Sequence, residues 1–238
     1  MRGQRRRVRW PAIRGARGLK PARDARHRVR RIPERAQYER EDAYAIIDAG
    51  WLAHVAFAVD GQPFVIPMLH ARDGDRILLH GSVASRLMKT LGEGVPCSLA
   101  VTHVDGLVLA RSHFHHSVNY RSAVAFGRAH LVADPAQKAA ALARFVDAIL
   151  PGRAADSRAA DRKELGATSV LSFAIEDISA KIRAHGVKDD SDDLALPHWA
   201  GVVPMRVVHE APQADQGCTA PIPHYVAALV AEHATPVS

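Results

Sequence analysis

Only two cysteines, Cys97 and Cys218, occur in 238 residues, far apart and with no C-x-x-C pair. That spacing excludes a disulfide framework and a cysteine zinc centre, and it fits a reducing cytoplasm. No run approaches the roughly 18 uninterrupted apolar residues of a membrane span, and the N-terminus lacks the apolar core of a secretory signal. A cytoplasmic protein without a membrane span is therefore expected. Nucleotide and hydrolase signatures are missing as well. Neither G-x-G-x-x-G nor G-x-x-x-x-G-K-[ST] occurs, since Gly92-Glu93-Gly94 has Cys97 where a third glycine would stand, so dinucleotide-fold and P-loop readings fail. The absence of G-x-S-x-G leaves a serine hydrolase without support.

What is present is ordinary soluble composition, 47% hydrophobic and 24% charged, long enough to bury one good core. The formal net charge of +7 is unevenly distributed: residues 1–31 carry 13 of the 32 Lys and Arg but one of the 25 acidic residues. The remainder holds 19 basic and 24 acidic residues, so the body is mildly acidic. The tail has no sustained apolar period and is expected to be disordered. A targeting segment or sequence upstream of the true start is favoured there over specific nucleic-acid binding. The expected division is this tail, one domain over 32–210 and an extension over 211–238.

Residues 63–91 organise the reading. Val65 to Met68 run into an Asp73-Gly74-Asp75 turn, and Ile77 to Leu79 leave it, the pattern of a tight hairpin of buried strands. Ser82 then reads as the N-cap of a helix with Val83, Leu87 and Leu91 on its apolar side and Ser82, Ser85, Arg86 and Lys89 opposite. Two hydroxyls, a guanidinium and an ammonium at a helix start suit a phosphate monoester, although a capped helix with a solvated basic face has the same spacing.

Before the hairpin, 34–48 reads as a helix stopped by Gly50, and 51–59 as a strand. After it, Cys97–His103 and Leu107–Ser112 read as a second hairpin around Asp105-Gly106, and Arg121–Val132 as a long strand with Gly127 a bulge or close approach. Asp134-Pro135 opens a packing helix that Pro151-Gly152 ends. Residues 153–166 read as a short helix or loop, and strand character resumes at 168–188. Asp189, Asp190, Asp192 and Asp193 lack the glycine and terminal glutamate of a calcium loop and read as a solvated turn.

Three blocks in order, LLHGSVASRLMK, DGLVLARSHFHHSVNYRS and PHWAGVVP, resemble the flavin-nucleotide-binding branch of the pyridoxamine 5′-phosphate oxidase-like proteins over about residues 31–206. The resemblance implies a mainly β fold with flanking helices, a six-stranded Greek-key split barrel, that binds FMN at a homodimer interface. Its relatives include nitroimidazole-resistance and haem-utilisation proteins. It further implies that Ile66, Pro67, Met68, His80, Gly81, Ser82, Ser85, Arg86 and Lys89 face the cofactor from one subunit. Asn119, Tyr120, Arg121 and Ser122 approach it from the other, and Trp199 closes over the ring. An FMN-dependent oxidoreductase acting on a small electrophilic or B6-like substrate is then expected; a flavin- or haem-sequestering protein without turnover is the alternative.

His113, His115 and His116 are the one close histidine group considered for metal. No carboxylate or cysteine stands beside them in sequence, so no metal site is expected, while haem ligation by one of them stays open. Oxidation of pyridoxamine phosphate itself is not supported. Ser85-Arg86 is followed by Leu87 instead of lysine, and the R-x-H run, Arg183-Ala184-His185, falls well before the C-terminus.

Overall fold

In the computed structural model, residues 36–37 and 39–231 are described; the basic tail, with the disorder expected of it, lies outside them. Eight strands and five helices follow in the order β1 (Ala36–Gln37), α1 (Arg40–Asp48), β2 (Leu52–Val59), β3 (Gln62–Asp73), β4 (Arg76–Ser82), α2 (Arg86–Gly92), β5 (Glu93–Leu109), β6 (Ser117–Leu131), α3 (Pro135–Ile149), α4 (Arg162–Ala167), β7 (Thr168–Arg183), β8 (Gly201–Pro204) and α5 (His224–Ala231).

Alternation decides the inside. Ala53, Val55 and Phe57 of β2, Leu99 and Val101 of β5, and Ala123 and Ala125 of β6 all point into one buried core. Asp60 and Gly61 both take positive φ, 51° and 81°, which gives the two-residue hairpin between β2 and β3 the twist its strands need. The antiparallel order β7-β4-β3-β2-β5-β6, with β6 pairing β7 again, closes a six-stranded ring. After the β2-β3-β4 meander, the chain crosses through α2 and returns to lay β5 beside β2, which is the Greek-key step.

The ring is split on one side. Residues 62–69 of β3 pair with β2, but only 70–73 pair with β4, which pairs with β7 along its whole length. An edge is therefore open along 62–69, and Pro67, lacking an N–H, sits on it as its chemistry favours.

Two expectations about β5 and β6 come out differently. The Asp105-Gly106 pair does not turn the chain: β5 runs straight through, and β6 pairs with it on both sides of a register shift between Val104 and Gly106. An Asp-Gly pair serves a bulge as readily as a turn, and here partners on both sides settle it. The sixth strand of the ring is instead β7, from the region read as strand-like after 168. At Gly127 the expected close approach is found, for a Cβ there would stand 1.9 Å from the Ala174 carbonyl oxygen at a register shift between β6 and β7.

Helices close the barrel. α1 buries Ala43, Ile46 and Ile47 across one end, where its C-terminal carbonyls accept from two imidazoles, Ile46 from His103 Nε2 at 2.9 Å and Ile47 from His70 Nε2 at 3.1 Å. α2 plugs the opposite end with Leu87, Met88 and Leu91. α3, capped by Asp134 with Pro135 in its first turn, lies outside the sheet and packs Ala141 and Phe145 on Ala71, Leu78 and Val170. Of the C-terminal region, β8 joins the edge of β5. α5 buries nothing and is tethered through the Tyr225 hydroxyl, 2.5 Å from Asp156.

Candidate functional site

The anchor helix starts three residues later than its sequence indicates. Ser82 is still in β4, paired with Thr168, so a tight turn intervenes in which Ser85 N–H donates to the Ser82 carbonyl at 3.0 Å and Ala84 N–H to Ser82 Oγ at 3.2 Å. Ser85 is the N-cap, its hydroxyl accepting from Met88 N–H. Val83 consequently lies exposed, and the apolar stripe is Leu87, Met88 and Leu91. Arg86 leaves the first turn with its guanidinium 4.5 Å from the centroid of the Phe64 ring. Phe64 belongs to the open edge of β3, so stacking holds the guanidinium at the split of the barrel with its N–H fork uncommitted to any carboxylate among the described residues. Arg86, Lys89 and the Ser85 turn fit a phosphate group, whose oxygens a planar fork and an ammonium would satisfy.

Other expected contacts divide. Ile66 and Met68 share the face of Val55 and Ala53 but Ile66 remains 39% exposed at the open edge, so this half of the hairpin is not the buried strand expected, while Pro67 faces outward opposite His54. Gly81 faces α2, where a Cβ would press on Met88 at 3.1 Å. The His80 ring points the other way, under α3, with its centroid 4.4 Å from that of Phe145 and its Nδ1 buried without a partner. Burial lowers its pKa, and its side chain packs α3 onto the sheet, away from the anchor turn. Beside the open edge a depression of about 300 Å³ is lined by Ala56, Pro63, Val65, Pro96, Ser98 and Phe126. Cys97 at its floor is an inert thiol, its pKa pushed up to about 11 by burial.

The second block lies elsewhere in the protomer. Arg86 is level with Phe64, hence with Phe57, Cys97 and Gly127 across the paired strands. Asn119–Ser122 are five to eight residues further along β6, roughly 17–26 Å at about 3.3 Å per residue. Three of the four are already engaged: Arg121 makes a fork to Asp105 with both contacts at 2.9 Å, Asn119 Oδ1 accepts from Arg183, and Ser122 Oγ donates to the Lys181 carbonyl at 3.4 Å. Tyr120 and Ser122 take the outer face by alternation. No local signal reveals the Arg121–Asp105 pair, because the bulge that aims Asp105 at β6 exists only once the strands have paired.

At the tip of the β5–β6 pair, the histidine group gains the partners its sequence neighbourhood lacks. Arg111 donates from its backbone N–H and its guanidinium to Asp189, at 3.0 and 2.7 Å. The Asp189 side chain is buried, so the acidic run is not wholly a solvated turn. Burial acts to raise the Asp189 pKa, and the Arg111 guanidinium and N–H outweigh it, holding the carboxyl below its usual range. His115 Nε2 stands 3.1 Å from Asp190, and Asp193 is close by. His116 Nδ1 lies 2.8 Å from the Ser112 carbonyl.

A six-stranded split barrel with a basic anchor at its open edge defines the class. A sequence model of the pyridoxamine 5′-phosphate oxidase family matches residues 39–182, and the chain belongs to that family. No curated protein matches it. Among solved structures, the flavocytochrome Anf3 from Azotobacter vinelandii is 40% identical, covering 87% of this chain and 98% of its own, with a TM-score of 0.82. The FAD and haem binding protein from Mycobacterium smegmatis is 36% identical over 82% of this chain and 97% of its own, with a TM-score of 0.79. A protein assigned to 5-nitroimidazole antibiotic resistance in Bacteroides thetaiotaomicron shares the fold alone, at 18% identity over 62% of this chain and TM-score 0.53. Among the described residues no helix is long and apolar enough to cross a membrane.

Proposed function

We propose that the protein is a flavin-dependent oxidoreductase that also carries haem and works as a homodimer. The observation that supports this most is the 40% identity with a flavocytochrome of which 98% is covered. The second relative, named for FAD and haem, supports the same pair of cofactors. FAD is thus the first candidate flavin, and FMN, which the family resemblance implies, the second. Both present phosphate oxygens to Ser85, Arg86 and Lys89. When bound, the flavin supplies the redox chemistry on a small substrate. The chain's own part is to hold the phosphate at the open edge of β3 and to shelter the ring beside Pro67 and Tyr120.

The separation of the two blocks supports the dimer. Within one protomer they stand at different levels of β6, whereas a two-fold axis can bring the Asn119–Ser122 block of one copy to the anchor of another. The exposed apolar residues Leu52, Val65 and Leu69 of the outer sheet face give such a contact its area. Purified protein should be yellow, and the released flavin should identify FAD or FMN. Colourless protein that binds neither would refute the reading. Sedimentation at low concentration should show the flavin tightening the dimer by mass action; a monomer with full flavin affinity would refute the shared site. Reduced flavin that is reoxidised by oxygen alone across nitroaromatics, quinones and B6 phosphates would favour the sequestering alternative.

A further inference from the structure

We propose that haem would be held on an apolar ledge at the β5–β6–β8 tip, with His116 as the residue that would ligate its iron and the Trp199 indole as the outer wall. This rests on the flavin-and-haem reading above and adds the place and the residues. Five side chains, assigned to one face by independent observations, make the ledge. Leu107 pairs directly with Val118 of β6 on one side and with Val203 of β8 on the other. Side chains of directly paired residues share a face, so the three form a continuous row across neighbouring strands, about 10 Å from first to last. Val108, the next residue, is fully buried, which fixes the row as the outer face. Its members are 38%, 41% and 44% exposed for Val118, Leu107 and Val203, an unusual concentration of wet aliphatic surface.

Trp199 belongs to the same face. A Cβ on Gly201, two residues before Val203, would point there, and it would stand 2.8 Å from two carbons of the Trp199 ring. The indole therefore lies over Gly201 at the end of the row, and it is itself 67% exposed. A large flat apolar side chain held beside an aliphatic row, both open to water, is a surface prepared for a flat apolar ligand.

His116 stands at the head of the row. It is extended, with φ −59° and ψ 142°, and stands immediately before β6, two residues ahead of Val118, so continued alternation puts its imidazole on the ledge side. Its Nδ1 faces a carbonyl oxygen, which can only accept, so the proton is on Nδ1 and the lone pair is on Nε2. Backbone fixation of Nδ1–H with Nε2 left to coordinate is the arrangement metal-binding imidazoles use. The neighbouring imidazole of His115 is instead turned to Asp190.

The relatives agree with this placement in extent. The first 183 of 238 residues are about 77% of the chain. Matches covering 87% and 82% must therefore both reach past Arg183, the first of them far enough to include Trp199, and those two relatives are the ones named for cytochrome or haem.

The test is the absorption spectrum of the whole protein as isolated and after adding haem, with bound flavin as the measure of folding. Wild type should show a Soret band beside the flavin absorbance. His116→Ala should weaken haem affinity at least about tenfold and keep the flavin, and imidazole added to His116→Gly should restore the Soret band. Gly201→Ala, which displaces the indole, should weaken haem binding and shift the band without removing the ligand, whereas His130→Ala at the far end of β6 should change nothing. An unchanged Soret band in His116→Ala, or its loss in His113→Ala instead, overturns the assignment while leaving the flavin-and-haem reading intact. Wild type that takes up flavin but no haem overturns both. A change of oligomeric state in Trp199→Ala with the Soret band untouched would assign the ledge to a second copy and refute the haem site.

Discussion

The barrel and the chain that follows Arg183 are held by different forces. In the barrel, side chains such as Leu79, Leu99, Leu171 and Phe173 are wholly removed from water, so stability is spread over many contacts and rises with the area buried. Beyond Arg183 no apolar residue is buried among the described residues, and discrete polar links fix the path instead: Asp189 to Arg111, the Met205 N–H to the Asp105 carbonyl, Tyr225 to Asp156. The barrel consequently depends less on any one polar contact than on the apolar area it buries. The later segment is a set of tethers, each of which places a particular piece, and its exposed apolar residues are available for binding because they are not spent on folding.

The sharpest way to break that contrast is Gly127→Ala. Its Cβ would fall on the Ala174 carbonyl, and since backbone must move, the cost should be about 3 kcal/mol or more, seen as global loss in denaturant unfolding. A loss below about 1 kcal/mol would show that the β6–β7 shift can slide. Next in size, Arg86→Ala should lower affinity for the flavin nucleotide by about 1.5 to 3 kcal/mol, roughly ten- to a hundredfold, and leave riboflavin almost unaffected. Equal losses for both ligands would indicate a disturbed helix in place of a phosphate contact.

A third variant acts on the tethers alone. Arg111→Ala should raise amide exchange over 186–200 by roughly tenfold while exchange in β2 and β6 stays as it was; equal acceleration in both regions would mean that the segment folds as one unit with the barrel. The smallest effect concerns pH. Burial depresses the His80 pKa in the folded state, so its contribution to stability is complete above the unfolded value near 6.5 and is lost as pH falls from there through the lower native value. His80→Leu should therefore narrow the difference in melting temperature between pH 7 and pH 5 by no more than about 4 °C. A difference that widens would show that His80 is not the group being protonated.

Much of the frame was legible because short-range patterns carry it. Asp134-Pro135 marked the start of α3, Gly127 its close approach, and Asp60-Gly61 and Asp73-Gly74 their turns, each through backbone chemistry that belongs to the residue itself. The anchor was legible in composition and misplaced in register: Ser82 and Ser85 are equally good caps, and the pairing of Ser82 with Thr168, 86 positions away in the chain, decided between them. Asp105-Gly106 failed as a turn for the same reason. In the candidate site the engagements were hidden, since nothing near Arg121 announces Asp105 and nothing near Arg111 announces Asp189.

By itself the sequence determined the strand-rich class, the start of α3 at Asp134-Pro135, and a basic, hydroxyl-bearing turn suited to phosphate. Those follow from properties a residue keeps in any surroundings: the φ it allows, the proton it donates, the period of its apolar neighbours. Which histidine keeps a lone pair, which arginine is already spent on a carboxylate, and which aliphatic residues line up across three strands were decided only by the tertiary structure. The arginine–carboxylate pairs and the aliphatic row depend on partners distant in sequence that the closing of the barrel brings within reach, whereas the His116 tautomer is set by the Ser112 carbonyl four residues back, once the turn into β6 has formed.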